Sequence, residues 1–391
     1  MRLLHTSDWH LGRSLHGYSL ADDQAQAVEA VVSLADQHDV DVVVIAGDVF
    51  DRPVPPIESL RLLNDALERL HAAGRTVVIT SGNHDSGDRL GMYAGLLRDG
   101  IHVVGGLDAV GTPIPVGDEH GTVLLYPLPY LDPDAAREAL ADGEPLPRSH
   151  ASVAEAALAR IDTDRAARPE HRAVVVGHAF VGSGAAEPST MSSDSERDLS
   201  IGGVQMVPAD LFAGRGISYV ALGHLHRPQE IRAGDPTISY SGSLLRYSLS
   251  EAGHDKSVTL VTVGAPGEHV GIERVPLPAG RAMSRLSGPI DELLSDAHAA
   301  RRDDYVELIV TDPLYPERMH ARLDEVFPFA LRKEHRPEGV EPAAVSMRGD
   351  ARGRDPIDVI TTFFAKVTAQ EPTAAQLDLL RSAYEQAGRR A

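Results

Sequence analysis

Five stretches of this chain run apolar for a few residues and then break at a polar group. The central one is Val42-Val43-Val44-Ile45-Ala46. A continuous run of β-branched residues flanked by helical patterns reads as a strand buried on both faces. It stops at Gly47, where a glycine lets the backbone turn tightly, and Asp48 then leaves the sheet at its carboxyl edge, where α/β proteins place ligands. Asp51 follows one short turn later. The other runs are Arg2 to Thr6, Thr76 to Thr80, Ala173 to Val176 and Ser218 to Leu222. They end in Ser7-Asp8-Trp9-His10, Ser81-Gly82-Asn83-His84-Asp85, Gly177-His178 and Gly223-His224-Leu225-His226.

Between the runs the apolar period changes from strand to helix. Ala25, Val28, Val32 and Ala35 recur at helical spacing, as do Ile57, Leu60, Leu63, Leu67 and Leu70, a face expected to be core. Pro56 suits the first turn of that second helix and Gly74 its end. Strand, helix, strand, helix, strand argues for a layered α/β fold. Residues 101–130 read as short strands and turns, followed by helical patterns near Asp134 to Leu140 and Ala151 to Ile161. Gly182 to Ser200 is rich in Gly, Ser and acidic residues and reads as a long exposed loop of the functional or mobile kind. Ile238 to Ser243 and Ser257 to Val263 read as antiparallel strands that close a first domain over residues 1–275.

A composition shift near Pro276 to Met283 opens a second unit, residues 280–336. It reads as helix (Ile290 to Ala299), strand (Tyr305 to Val310), helix (Arg318 to Val326) and strand (Phe329 to Lys333). Residues 337–355 are rich in Gly, Pro and charge and read as a linker. Two helices close the chain within 356–391. Ile357, Ile360, Phe363, Phe364 and Val367 line one side of the first, and Leu377, Leu380 and Tyr384 one side of the second.

Composition narrows the partners. Lys+Arg number 37 and Asp+Glu 57, for a net charge of −20. That is the wrong sign for a free-standing nucleic-acid binder, whose affinity comes largely from cations on phosphates. Local basic patches, or another subunit, would have to supply the binding. There are no cysteines, which excludes disulfides and thiolate metal sites and fits a reducing cytoplasm. Neither a signal-peptide core nor a run of membrane-spanning length is present, so the expectation is a cytoplasmic protein without membrane partners.

Singly, each polar strand end reads as easily as a solvated loop. Together, Asp8, His10, Asp48, Asn83, His178, His224 and His226 form one constellation at the strand ends of one domain. Oxygen and imidazole ligands without thiolate suit Mn²⁺ or a similar divalent ion. Seven ligands exceed what one ion with an open position takes, and a carboxylate such as Asp48 can bridge two. Two ions about 3.5–4 Å apart form the clamp used for in-line displacement at phosphorus.

These motifs match, in order, those of the calcineurin-like metallophosphoesterases, and the chain resembles that family. The stretch Thr6 to Gly12, the segment Gly47 to Asp51, the Ser193 to Gly203 stretch with Pro208-Ala209, and Tyr219 to Arg227 are similar, more narrowly, to its SbcD branch of bacterial nuclease subunits. The fold then implied is a layered α/β sandwich of two mixed β-sheets flanked by helices, with a small capping domain and a C-terminal helical pair. By the resemblance, Asp8, His10, Asp48 and His226 hold one ion, and Asp48, Asn83, His178 and His224 the other. His84 is the non-ligand histidine that stabilises the transition state or protonates the leaving oxygen, and Asp51 the carboxylate that orients it. Arg52-Pro53 departs from the small hydroxyl residue and glycine expected there. The resemblance further implies a Mn²⁺-dependent exonuclease and endonuclease acting on DNA in repair and recombination. Its partners would be an SbcC-type ATPase, met through the C-terminal helices, and a second copy of the chain. Two other readings compete. One is a small-molecule phosphodiesterase or phosphatase, for which the added domain and helices are unnecessary. The other is a non-catalytic scaffold, which the complete ligand set argues against.

Overall fold

In the computed structural model, residues 1–183, 206–231, 234–338, 355–368 and 371–388 are described. The main elements, in chain order, begin with β1 (Arg2–Thr6), α1 (Ala21–Gln37), β2 (Val42–Ala46), α2 (Ile57–Ala72), β3 (Thr76–Thr80) and β4 (Ile101–Val104). Then come β5 (Ile114–Asp118), β6 (Gly121–Leu128), α3 (Pro133–Ala139), α4 (His150–Ala166), β7 (Arg172–His178) and β8 (Tyr219–Gly223). Four strands follow: β9 (Gln229–Ile231), β10 (Thr237–Tyr240), β11 (Ser257–Thr262) and β12 (Gly271–Pro276).

Two six-stranded sheets result, in the orders β12-β11-β1-β2-β3-β4 and β9-β10-β8-β7-β6-β5. In the first sheet β1, β2, β3 and β4 run parallel, with β11 antiparallel to β1 and β12 antiparallel to β11 at one side; in the second β6, β7, β8 and β10 run parallel, with β5 and β9 antiparallel at the two edges. The apolar runs are explained by this layering. Along β2, Val42, Val44 and Ala46 join Val174, Val176 and Ala221 of the other sheet in a core between the sheets. The alternate residues Val43 and Ile45 face outward onto Val28, Val31 and Leu70 of α1 and α2. A strand buried on both faces has no polar side, hence no alternation in its sequence. On the far side, α4 packs Ala157, Leu158 and Ile161 on Val175 and Val220.

Three sequence expectations are corrected here. Thr237–Tyr240 and Ser257–Thr262 do not pair with each other. The former runs parallel to β8 in the second sheet, and the latter antiparallel to β1 in the first. The apolar face of α2 is core only at its C-terminal end, with Leu63 and Leu70 buried, whereas Ile57 is 53% and Leu60 42% exposed. The stretch taken as a domain boundary continues into a strand, Met283–Gly288, whose alternation of exposed Arg285 and Ser287 hides its pairing.

That strand, β13, starts a three-stranded parallel sheet with β14 (Tyr305–Val310) and β15 (Ala330–His335). Helix α5 (Ile290–Leu293) and helix α6 (Met319–Val326) cover one face through Leu293, Met319 and Leu323. The expected helix over 290–299 is broken at Ser295, whose side chain accepts from the Ala297 amide and starts a 3₁₀ turn, Asp296–Arg301. This unit is anchored on the first sheet's helical layer. Tyr305 donates to Asp23 at 2.7 Å, and Tyr18 to the Pro328 carbonyl at 3.1 Å.

Helices α7 (Pro356–Thr368) and α8 (Ala374–Gly388) pack on each other. None of their described side chains is buried, and Phe363 and Leu379 are 48% and 70% exposed. Val367's side chain, most of the expected linker, nearly all of the expected 182–200 loop and the Ser193 to Gly203 motif lie outside the described residues. Among the described residues, no helix is long and apolar enough to cross a membrane.

Candidate metal centre

The carboxyl edges of the two sheets meet, and every strand-end ligand named from the sequence lies there. Strand β1 delivers Asp8 and His10, β2 delivers Asp48, and the turn after β3 delivers Asn83 and His84. The second sheet supplies His178 at the end of β7, and His224 and His226 just after β8.

The donor atoms fall into two groups. In one, His10 Nε2 lies 3.2 Å from His226 Nε2, and Asp8 brings a carboxylate oxygen within 4.8 Å of both. In the other, Asn83 Oδ1 is 3.0 Å from His178 Nε2 and 3.1 Å from His224 Nδ1. Asp48 Oδ2 stands between them, 3.6 Å from His10 Nε2 and 3.5 Å from His178 Nε2. Both carboxylates are buried, at 0% exposure for Asp8 and 3% for Asp48.

The donor set fits divalent ions. Carboxylate, amide oxygen and imidazole nitrogen suit Mn²⁺, Mg²⁺ or Zn²⁺. The outer nitrogens of two imidazoles are occupied: His178 Nδ1 contacts the Ala46 carbonyl at 2.9 Å, and His226 Nδ1 the Glu251 carboxylate at 2.9 Å. A carbonyl or carboxylate can only accept, so those nitrogens carry the proton and Nε2 turns a lone pair inward. Once His178 gives up its second proton, imidazole lone pairs and buried carboxylate oxygens converge in a way that suits cations.

Electrostatics point the same way. Burial pushes the His10 and His224 imidazoles down, His224 to about 3, so both are neutral, the form in which an imidazole can hold a metal. Burial likewise raises Asp8. For Asp48 burial acts upward, but the surrounding His178 and His10 hold it well below the usual carboxylate range. Burial would lower His178, yet Asp48 and Asp8 lift it to about 9, so the metal-free site keeps a proton there.

The backbone is strained to make this edge. Asp8, His10, Asp48 and His224 all adopt positive φ, at 52°, 43°, 49° and 108°. Such conformations cost on the order of 1–3 kcal/mol each and cluster at functional sites. Glycines supply close approach: a Cβ on Gly82 would sit 2.1 Å from Asp48 Oδ1, and one on Gly223 1.9 Å from the Ala46 carbonyl oxygen.

His84 is tied twice. Its amide donates to Asp48 Oδ1 at 2.9 Å, and its Nδ1 meets an Asp51 oxygen at 3.0 Å. That oxygen is the backbone carbonyl. The Asp51 carboxylate instead receives Arg13 at 3.1 Å and lies 3.7 Å from His10 Nδ1, so orientation of His84 by the Asp51 side chain is corrected to orientation by its main chain. The departing Arg52 and Pro53 are exposed. Two further acids went unassigned in the sequence. Asp85 accepts the amides of Val49, Phe50 and Gly82 and so pins the β2 turn to the β3 turn; burial lifts its carboxyl to about 6. Glu251 is fully buried behind His226. Asp85 stands in the Gly82-to-Asp85 motif, but its bonds to Val49 and Phe50, like those of Glu251 to His226, cross the fold and leave no mark in the sequence.

Residues 1–228 match the family of calcineurin-like phosphoesterases, and residues 279–368 match the Type 5 capsule protein repressor C-terminal domain. The chain therefore belongs to the calcineurin-like metallophosphoesterases, hydrolases of the phosphodiesterase type whose fold implies divalent metal ions. A curated relative, the D subunit of nuclease SbcCD from Bacillus subtilis (strain 168), is 34% identical over 344 residues, 86% of this chain and 83% of the relative. Within the class, the chain is an SbcD-family, metal-dependent nuclease. Solved structures overlap it more loosely. A dimetal phosphatase from Danio rerio shares 13% identity at a TM-score of 0.42, covering 72% of this chain and 99% of its own. GAP50 of the Plasmodium inner membrane complex shares 12% at 0.44, covering 72% and 86%.

Proposed function

We propose that this chain is the nuclease subunit of an ATP-dependent SbcCD-type complex. It digests duplex DNA from its ends and cuts single strands and hairpins during end processing, repair and recombination. The observation that carries the chemistry is the position of Asp48 Oδ2, 3.6 Å from one donor group and 3.5 Å from the other. A carboxylate so placed is suited to join two ions. Asp8, His10, Asp48 and His226 would hold one, and Asp48, Asn83, His178 and His224 the second. Mn²⁺ is the favoured ion, since the donors are oxygen and imidazole. When bound, such ions polarise the phosphate and supply an activated water.

The chain's own residues do the rest. His84 Nδ1 donates to the Asp51 carbonyl, which leaves Nε2 free; as the imidazolium, His84 would donate the Nε2 proton to the leaving oxygen or neutralise charge developing on the phosphate. The Asp48 bond to the His84 amide sets the imidazole relative to the ligands. Asp51, holding Arg13, keeps a cation at the rim of the site, where nucleic-acid phosphates would pass.

Two surfaces support the assembly. The residues after β2 and β3 expose Val54, Ile57 and Leu60, and Met92, Tyr93 and Leu96. Apolar side chains gathered after the ends of neighbouring strands suit a second copy of the chain. The helical pair of residues 356–391, beyond a 337–355 linker, buries none of its described side chains and suits a coiled-coil helix of the ATPase. The nuclease domain would span 1–275 and the capping domain 280–336. The working place would be the cytoplasm, at the nucleoid. A partner of that kind would also bring the basic DNA surface that a chain at −20 lacks.

One assay tests the reading. The purified chain, with and without the ATPase, meets Mn²⁺, Mg²⁺ or Zn²⁺ and either linear duplex DNA or bis-p-nitrophenyl phosphate. ATP-stimulated DNA digestion is expected. Hydrolysis of the small ester alone would make it a small-molecule phosphodiesterase, and no hydrolysis a scaffold. A chain ending near Asp350 should hydrolyse the small ester as before but fail to co-purify with the ATPase. Undiminished complex formation would place the docking surface elsewhere.

A further inference from the structure

Behind His226 lies a buried ion pair that the ligand motifs do not contain. Glu251 Oε1 accepts from His226 Nδ1 at 2.9 Å, and Glu251 Oε2 is 2.6 Å from Lys256 Nζ. The side chains of Glu251, Lys256 and His226 are 0%, 2% and 5% exposed. Lys256 also donates to the His226 carbonyl at 3.0 Å and to Ser243 Oγ at 2.8 Å, so it clamps the same residue from its main chain. Glu251 Oε2 further accepts the Tyr247 amide at 3.3 Å. Taking two charges out of water is costly, and the pair is tolerable only because its bonds are satisfied.

The two donor groups differ in this respect. His178 leans on a neutral main-chain carbonyl, that of Ala46. His226 leans on a full carboxylate. A carboxylate behind a ligating imidazole fixes its tautomer and raises its basicity toward the ion. We propose that Glu251, held in place by Lys256, is the positioning residue of the Asp8–His10–His226 group and makes it the tighter of the two ion sites. Glu251 touches neither substrate nor ion; it acts through His226 alone. Lys256 serves to keep the carboxylate charged and aimed while buried.

The inference rests on the two-ion reading above, and the experiment separates the two. Mn²⁺ binding is measured by calorimetry on the full metal-stripped chain, and folding by thermal melting. Wild type should bind two ions of unequal affinity; a wild type that binds one or none overturns the two-ion reading itself. Glu251→Gln should lose about 10–100-fold in affinity at the tighter site, the usual size of such effects, and leave the weaker site unchanged. Lys256→Met, which leaves Glu251 without its counter-ion, should weaken the tighter site by less than Glu251→Gln does, leave the weaker site unchanged, and melt at a lower temperature. Where Glu251→Gln alone does not fold, the double variant Glu251→Gln/Lys256→Met, which removes both charges together, should show the same loss at one site. Glu251→Gln or the double variant binding both ions as wild type does overturns the inference. So does an equal loss of affinity in Glu251→Gln and Lys256→Met, which would make the pair a structural strut.

Discussion

Gly47 turns the chain from β2 into Asp48, and replacing it with alanine separates two costs that glycine avoids. The first is conformational: φ is +79° there, and a left-handed residue with a Cβ costs roughly 1–2 kcal/mol. The second is steric. The new Cβ would lie 2.3 Å from His178 Nδ1 and 2.5 Å from its Cγ, whereas ordinary contact begins at 3.4 Å. The imidazole must retreat by about 1 Å, and overpacking of this kind costs on the order of 1–3 kcal/mol. Stiffening the unfolded chain returns roughly 0.5–1 kcal/mol. Gly74→Ala is the control. Its φ is +80°, and nothing lies within 4 Å of the added Cβ, so it carries the first cost alone. Urea unfolding of the metal-stripped proteins should therefore place Gly47→Ala about 1–3 kcal/mol below Gly74→Ala. The displaced His178 would also lose the Ala46 carbonyl and move off Asn83 and Asp48. Misplacement by about 1 Å costs on the order of 10²-fold in rate, so Gly47→Ala should be nearly inactive on bis-p-nitrophenyl phosphate while Gly74→Ala is normal. Equal stability of the two variants, or a fully active Gly47→Ala, would refute the argument.

Three further outcomes follow from the site. Asp48→Asn should abolish phosphodiesterase activity and remove at least one ion without unfolding the chain; anomalous scattering from two full ions in an active variant would contradict it. His84→Gln should keep both ions and DNA affinity yet lose about 10²-fold or more in rate, read by single-turnover cleavage beside metal content; loss of metal in place of rate would make His84 a ligand. Metal binding should release protons, because His178 is held to about 9 in the metal-free site and must give up its proton to ligate. Mn²⁺ affinity should then fall as pH drops below about 9, and calorimetry in buffers of different ionisation enthalpy should show the release; a pH-independent affinity between about 6 and 9 would exclude it.

The sequence by itself determined the layers and the polar groups that end their strands. A strand buried on both faces must be apolar throughout, so β2, β3, β7 and β8 announced themselves. Polar groups that interrupt such strands at their carboxyl ends stand out, so Asp8, His10, Asp48, Asn83, His178, His224 and His226 were legible as a set of candidate ligands. What the tertiary structure alone decided is whatever depends on a partner distant in the chain. Ile57 and Leu63 share one helical face and one hydropathy, yet only the packing of α2 leaves Ile57 in solvent and Leu63 in the core. Met283–Gly288 forms a strand because Tyr305–Val310 offers it a parallel edge, not because of its own polar alternation. The atom of Asp51 that meets His84 could not be read from a motif, since main chain and side chain belong to the same letter. Glu251 and Lys256 are two charged residues in an unremarkable turn until the fold closes over them. Burial then removes the water that would solvate them, and they are compensated by each other, His226, Ser243 and the Tyr247 amide.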